Sequence, residues 1–216
     1  MLIAVKGNDA EQNELEALLA AGQNRPQVLG ELFEAHRRRL LKMVHMRMDP
    51  NLRGRVSASD VIQEAYMEIS ARVGDYLADP RMPFFLWLRF LTAQKLVALY
   101  RHHAGAQKRD VRRQVRIQPG AFPDASSVVM AQELAGNLTS PSGNAMRVEA
   151  RLQVEQALDQ MNPSDRDVLV LRHFEELSNA EAAVELGIQE SAASKRYLRA
   201  LQRLRKILAD AGDEDA

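Results

Sequence analysis

An all-α chain, two helical domains joined by a flexible linker, is the fold this sequence predicts, and three observations predict it. Strand-type alternation is missing, while the helix formers Ala, Leu, Glu, Gln and Arg dominate. Apolar residues recur at three- and four-residue spacing in stretch after stretch. From about Ile117 to Ala145 the chain changes character: Pro119, Gly120, Pro123, Pro141 and Gly143, with interspersed serines, give it the composition of a connector. With 216 residues, each half is long enough for a core of its own.

The elements follow in order. NDAEQNELEALLAAG reads as a short acidic helix closed by Gly22. VLGELFEAHRRRLLKMVHMRM puts Leu29, Leu32, Phe33, His36, Leu40, Val44 and Met48 along one stripe, with its arginines opposite, and Asp49-Pro50-Asn51 stops it. SASDVIQEAYMEISARVGDY starts on a serine cap, Ser57 or Ser59, turns Val61, Ile62, Ala65, Tyr66, Ile69 and Val73 inward and ends at Gly74. The loop DYLADPRMP leads to FFLWLRFLTAQKLVALYRHH, which holds five of the chain's eleven aromatics. That helix is apolar almost all round, which puts it in the middle of a bundle. Its aromatics fit either core packing or stacking on unpaired bases, and Trp87 is expected to be buried.

Beyond the connector, MRVEARLQVEQALDQM is amphipathic. Asn162 caps the next helix, PSDRDVLVLRHFEE, with Pro163 at its first position and Val168, Leu169, Leu171 and Phe174 inward. Ser178-Asn179-Ala180-Glu181 is a capping box opening a short helix, and Gly187 turns the chain into a last long one.

The 29 basic and 29 acidic residues cancel, but they are segregated. Residues 37–55 carry seven bases against one acid, residues 101–116 six against one, and residues 195–206 six against none. Separate basic patches on a neutral chain suit a polyanion on some faces and a protein partner on others; solvated helix faces are the plainer reading. The chain has no cysteine, which excludes disulfides and thiolate metal sites and fits a reducing, cytoplasmic setting. No histidine pair lies at i, i+4, and neither a phosphate loop nor a nucleophile elbow is present, so no cofactor and no enzymatic chemistry are expected. MLIAV is too short for a signal core, and PFFLWLRFL is too short to span a bilayer.

A short capped helix, a glycine turn and a longer helix make the layout of a helix-turn-helix. At about 100° per residue, Ala193, Tyr197, Ala200, Leu201, Leu204, Ile207 and Leu208 share one side of the last helix, while Lys195, Arg196, Arg199, Arg203 and Lys206 share the other. Leu198 falls off the apolar stripe, beside the bases. Such a face can enter a major groove, or it can be the basic side of a helix that merely ends a bundle.

VLVLRHFEELSNAEAAVELGIQESAASKRYLRALQRLR closely resembles the C-terminal DNA-binding domain of bacterial RNA polymerase sigma factors of the extracytoplasmic-function (ECF) type. SDVIQEAYMEI resembles the same family's core-polymerase-binding helix, and FFLWLRFLTAQKLVALYRHH the helix after it, which recognises and opens the upstream edge of the transcription bubble. The resemblance runs from about Glu14 to Leu208. It implies an N-terminal extension at 1–13, a polymerase-binding and minus-ten domain at 14–107, a linker at 108–145, a minus-thirty-five domain at 146–208 and an acidic, disordered tail at 209–216.

The resemblance also implies the partners: core RNA polymerase, promoter DNA both double-stranded and melted, and an anti-sigma factor or other inhibitory regulator. It maps polymerase docking onto Asp60, Gln63 and Glu64. Minus-ten recognition and melting fall on Asp75, Tyr76, Arg81, Phe84, Arg89, Gln94 and Arg101, with residues 75–83 as a loop capturing a flipped base. Minus-thirty-five reading falls on Ser194, Lys195, Leu198 and Arg199, with Arg196 and Arg203 on phosphates. Two departures from the family pattern stand out. Ser191-Ala192-Ala193 replaces the usual Gly-Thr-Val-type triplet, and Gln189 stands where a capping serine is usual, so the last helix is expected to start late, capped by Ser191. A stand-alone helix-turn-helix regulator binding operator DNA is the alternative, and a purely protein-binding helical adaptor a more distant one.

Overall fold

Helix formation here is driven by apolar stripes and secured by side-chain caps. The computed structural model describes residues 9–48, 52, 55–103, 130 and 144–214. The chain divides into two compact units, Met1–Gln118 and Pro119–Ala216. All regular structure among the described residues is helical. Asp49-Pro50-Asn51, the basic run after His103 and, Met130 apart, the expected linker up to residue 143 lie outside the described residues.

The first unit holds α1 (Asp9–Ala20), α2 (Arg25–Arg47), α3 (Ala58–Ala78) and α4 (Phe84–His103). Helix α2 starts three residues earlier than its stripe suggested, because Pro26 sits in its first turn where no amide donor is needed. Its arginines are not all opposite the core, since Arg47 is buried. Ser57, not Ser59, caps α3: its hydroxyl accepts from the Asp60 amide (3.1 Å) and the Asp60 carboxylate accepts from the Ser57 amide (2.9 Å).

Helix α3 runs through Gly74 to Ala78, one turn beyond its expected end. The burial of Val73 and Tyr76 on its inner face explains this, because tertiary packing outweighs the roughly 1 kcal/mol propensity cost of a glycine. Helix α4 begins and ends as the sequence predicts, and it is buried over most of its circumference: Phe84, Phe85, Trp87, Leu88, Leu91, Leu96 and Tyr100 all face the core. The Tyr100 hydroxyl donates to the Arg47 carbonyl at 2.9 Å, tying the ends of α4 and α2 together. Helix α1 docks through buried Leu18 and through Glu14, whose Oε1 lies 2.9 Å from His36 Nε2.

The second unit holds α5 (Asn144–Gln160), α6 (Pro163–Leu169), a wide π-turn (Val170–Phe174), α7 (Asn179–Leu186) and α8 (Glu190–Glu214). Asn162 caps α6 by accepting from the Asp165 amide at 2.9 Å. The single helix expected from Pro163 to Glu176 is instead interrupted. The Glu175 amide bonds back to the Val170 carbonyl at 2.9 Å, a five-residue step, and Glu176 at φ 59° ends the segment. Val168, Leu169, Val170 and Leu171 are all buried, so the chain is enclosed on every side at this point. Helix α8 reaches Glu214, so most of the acidic tail expected to be disordered continues a helix.

Between α7 and α8, Gly187 adopts φ 63°, the left-handed conformation that closes a helix and starts a turn. Gly187→Ala is expected to cost about 1–2 kcal/mol, because nothing crowds the position and the cost is purely that of a Cβ in left-handed backbone. A lowered urea midpoint of the second unit, with the first unit's transition unmoved, checks this.

Candidate nucleic-acid interface

Helix α8 carries the densest basic surface of the second unit. Ala193, Ala200 and Leu204 are wholly buried, which fixes the rotation of the helix and turns Lys195, Leu198 and Arg199 outward. Leu198 is 59% exposed, a large apolar side chain standing among cations. Ser194 and Arg196 are half-buried at the margins of the face. The guanidinium of Arg199 points back along its own helix, 3.4 Å from the Lys195 carbonyl. Arg172, from the π-turn, packs over the Tyr197 ring (5.3 Å) and donates to the Leu177 carbonyl (2.8 Å), bracing α8 from behind.

One expectation for α8 is corrected, and one expected phosphate contact has a partner within the fold. The helix does not start late: it begins at Glu190, and the Gln189 carbonyl accepts from the Ala192 and Ala193 amides at 2.9 Å. Arg203, expected on a phosphate, is 57% exposed and pairs with the buried carboxylate of Asp165. That carboxylate also accepts from the Asn162 side chain at 2.7 Å. Arg203 therefore locks α8 to the start of α6, a role no spacing in the sequence announces, since the two residues are 38 apart.

In the first unit the seven residues assigned to the minus-ten element divide. Asp75, Arg81, Gln94 and Arg101 are exposed. Tyr76, Phe84 and Arg89 are buried, at 6%, 1% and 4% exposure, so in this conformation they serve the core and do not present themselves to a base. Tyr76 stacks on Trp87 (ring centroids 4.5 Å, 23° between planes) and lies 5.8 Å from Phe84. Its hydroxyl donates to the Met82 carbonyl at 3.0 Å, which pins the loop. The loop itself is shorter than expected, only residues 79–83, because Asp75 and Tyr76 belong to the last turns of α3. Among the aromatics of α4, Phe90 is the one that stands out, at 47% exposure.

At the start of α3, Asp60 and Gln63 are exposed and Glu64 is half-buried. Glu64 pairs with Lys95 of α4 at 2.9 Å. Glu64 lies 14 residues before the end of α3 and Lys95 11 residues after the start of α4, so equal spacing from the loop would not have revealed the pair. The Ser57 amide, and after it the Ser57 hydroxyl, hold the Asp60 carboxyl below the usual carboxylate range. The lowered value means that the capping contribution is fully present above the unfolded value near 3.8 and is lost as pH falls through the folded one. Acid titration should fray the start of α3, and Asp60→Asn, which keeps the acceptor, should remove that titration from backbone amide shifts at 57–61.

Among the described residues no cluster of three or more His, Cys, Asp or Glu side chains could hold a metal ion, and no helix is long and apolar enough to cross a membrane. What remains is two surfaces: a basic, partly apolar helix face suited to a groove, and a capped helix start with outward polar groups suited to a protein.

Comparison with known proteins bears on the family of the chain. Residues 151–204 match the family described as Sigma-70, region 4. Over 159 residues the chain is 30% identical to RNA polymerase sigma factor CnrH of Cupriavidus metallidurans, covering 72% of this chain and 74% of that one. It is 22% identical over 207 residues to ECF RNA polymerase sigma factor BldN of Streptomyces coelicolor, covering 96% of this chain and 69% of the relative. It is 27% identical over 188 residues to ECF RNA polymerase sigma factor SigE of Mycolicibacterium smegmatis, covering 86% and 63%. The solved structure of CnrH in complex with the cytosolic domain of CnrY aligns with a TM-score of 0.50 at 20% identity, covering 96% of this chain and all of that one, a likeness of fold.

Proposed function

Because the chain belongs to the extracytoplasmic-function family of bacterial RNA polymerase sigma factors, we infer that it binds core RNA polymerase, carries it to a two-part promoter and assists strand opening. The observation that carries this reading is the pairing of a basic helix-turn-helix face on α8 with a polar, rigidly capped helix start on α3 in one chain. An operator-binding regulator needs the first and has no use for the second.

In this reading the exposed Lys195, Leu198 and Arg199, with Ser194 beside them, read the minus-thirty-five element, and Arg196 takes a phosphate. Leu198 suits the methyl group of a thymine. Asp75, Arg81, Gln94 and Arg101 line the path of the minus-ten DNA, while Tyr76 and Phe84 hold the loop that would receive a flipped base. Asp60, Gln63 and Glu64 dock on the polymerase. The chain supplies binding and positioning and leaves bond formation to the polymerase, and its place of work is the cytoplasm, with the template. An inhibitory partner such as an anti-sigma factor completes the reading; the related CnrH has been solved with the cytosolic domain of CnrY.

A pull-down of core polymerase tests it. The triple variant Asp60→Asn/Gln63→Ala/Glu64→Ala, whose first substitution keeps a side-chain acceptor for the cap of α3, is expected to weaken capture at least about tenfold. Unchanged capture would move the docking surface elsewhere on the chain. No capture by the unmodified chain, with a polymerase that accepts another sigma factor, would overturn the function itself.

A further inference from the structure

Helix α8 lacks a good side-chain cap at Gln189, yet it starts at Glu190, and the neighbouring helix is bonded to that first residue. Asn179, in the first turn of α7, donates its side-chain amide to the Glu190 carbonyl at 3.0 Å and lies 3.3 Å from Glu190 Oε1. These two bonds join the first residue of one helix to the first residue of the next, eleven positions along the chain. Asn179 itself is held firmly, because it follows Ser178, whose hydroxyl and amide are both engaged with Glu181.

We propose that Asn179 is a positioning residue for promoter reading: it fixes the end of α8 that enters the groove. The proposal rests on the reading of α8 as the minus-thirty-five helix. Besides its buried face of Ala193, Ala200 and Leu204, helix α8 has two separated polar anchors, Asn179 at Glu190 and Asp165 at Arg203. These lie thirteen residues apart, about 20 Å along the axis. Releasing the first anchor loosens the start of the helix, while the second anchor and the buried Ala200 and Leu204 keep its middle as a pivot. Ser194 and Lys195, nearest the released end, then swing most, and Arg199, nearest the pivot, least. The loss of Asn179 should therefore blur the base pairs read by the start of α8 and spare those read further along.

The plainer alternative is an exposed hydrogen bond that only adds stability. The two differ in pattern. A stability effect alone leaves a folded chain's preferences intact, or weakens all sites alike. A positioning effect is confined to particular base pairs. Glu190→Ala separates them further, because it removes the 3.3 Å contact and leaves the bond to the backbone carbonyl.

The test uses the full chain bound to core RNA polymerase and a pool of double-stranded promoter fragments randomised across the upstream element, with bound fragments sequenced. A correctly read base pair is ordinarily favoured roughly tenfold or more. For Asn179→Ala that preference is expected to fall to about threefold or less at one or two adjacent base pairs and to stay at the others. Asn179→Gln, which keeps an amide donor, should restore part of it. Asn179→Asp, which sets a carboxylate against Glu190, should be worse than alanine, and Glu190→Ala should be mild. Thermal melting of the second unit, followed by helical circular dichroism, should show all four variants folded at the assay temperature. An unchanged preference for Asn179→Ala, or an equal loss at every position, overturns the proposal and leaves the sigma-factor reading intact. A wild-type holoenzyme that enriches no upstream sequence overturns both.

Discussion

Phe84→Ala is expected to cost about 3–5 kcal/mol, enough to bring the first unit to the edge of unfolding given that whole domains are stable by only about 5–15 kcal/mol. Phe84 is 1% exposed and sits in a cage of Tyr76, Trp87 and His36, with ring centroids at 5.8, 6.0 and 6.3 Å. Emptying that cage removes the support under both the end of α3 and the start of α4. It also frees Tyr76, whose hydroxyl pins the loop at Met82. Trp87 is the chain's one tryptophan, so its fluorescence follows urea unfolding of this unit alone. The expected result is a sharply lowered fluorescence midpoint, loss of polymerase capture at 37 °C, and a persisting helical signal from the second unit. Phe90→Ala, by contrast, should change the stability of the unit by no more than about 0.5 kcal/mol, because half of that ring is in water. If Phe84→Ala kept the midpoint and lost only promoter opening, Phe84 would return to the role of a base contact.

Lys195→Ala/Arg199→Ala is expected to lower occupancy of the cognate upstream element by a hundredfold or more, at about 1–3 kcal/mol for each specific contact. Both side chains are exposed, so the cost falls on DNA and not on the fold. The comparison that gives this meaning is with the neighbouring arginines. Arg196→Ala should make the dependence of log K on log salt shallower by about 0.9, the signature of one phosphate lost, without changing sequence preference. Arg203→Ala should leave that slope where it was and lower the stability of the second unit by about 1 kcal/mol, since its partner is the Asp165 carboxylate. Holoenzyme binding to promoter fragments over a salt series, beside urea melts, reads all of these. An Arg203→Ala slope that fell with the fold unchanged would show the Asp165 pair to be broken in the DNA complex.

Much of the architecture was legible because local rules and tertiary packing agree. The all-round apolar character of Phe84 to Tyr100 marked a central helix, and α4 is one. Ser178 with Glu181, and Asn162 with Pro163, marked helix starts that the structure bears out. The misses come where packing overrules a local signal. Gly74 reads as a stop, but Val73 and Tyr76 beside it are buried and carry the helix on. Gln189 reads as a failed cap, but the helix still starts at Glu190, where buried Ala193 and the bond from Asn179 to the Glu190 carbonyl hold the first turn in place. The site residues divided for the same reason. Periodicity placed Lys195, Arg199 and Leu198 on an open face, because one helix decides it. Whether Tyr76, Phe84 and Arg89 face a ligand or the core depends on three helices at once, and no spacing within one of them tells the two apart.

The wide turn at Val170–Phe174 bears on how this segment can tolerate a change of length. It accommodates one residue more than ordinary winding would need over the same rise. Removing that residue would let the segment relax into a plain α-helix, without dragging the Ser178 box or α8 out of phase by the usual 100° or so. The segment is in effect a slack link in a drive chain. A one-residue deletion that would shift the register in an ordinary helix can be absorbed there, and α8 keeps its orientation.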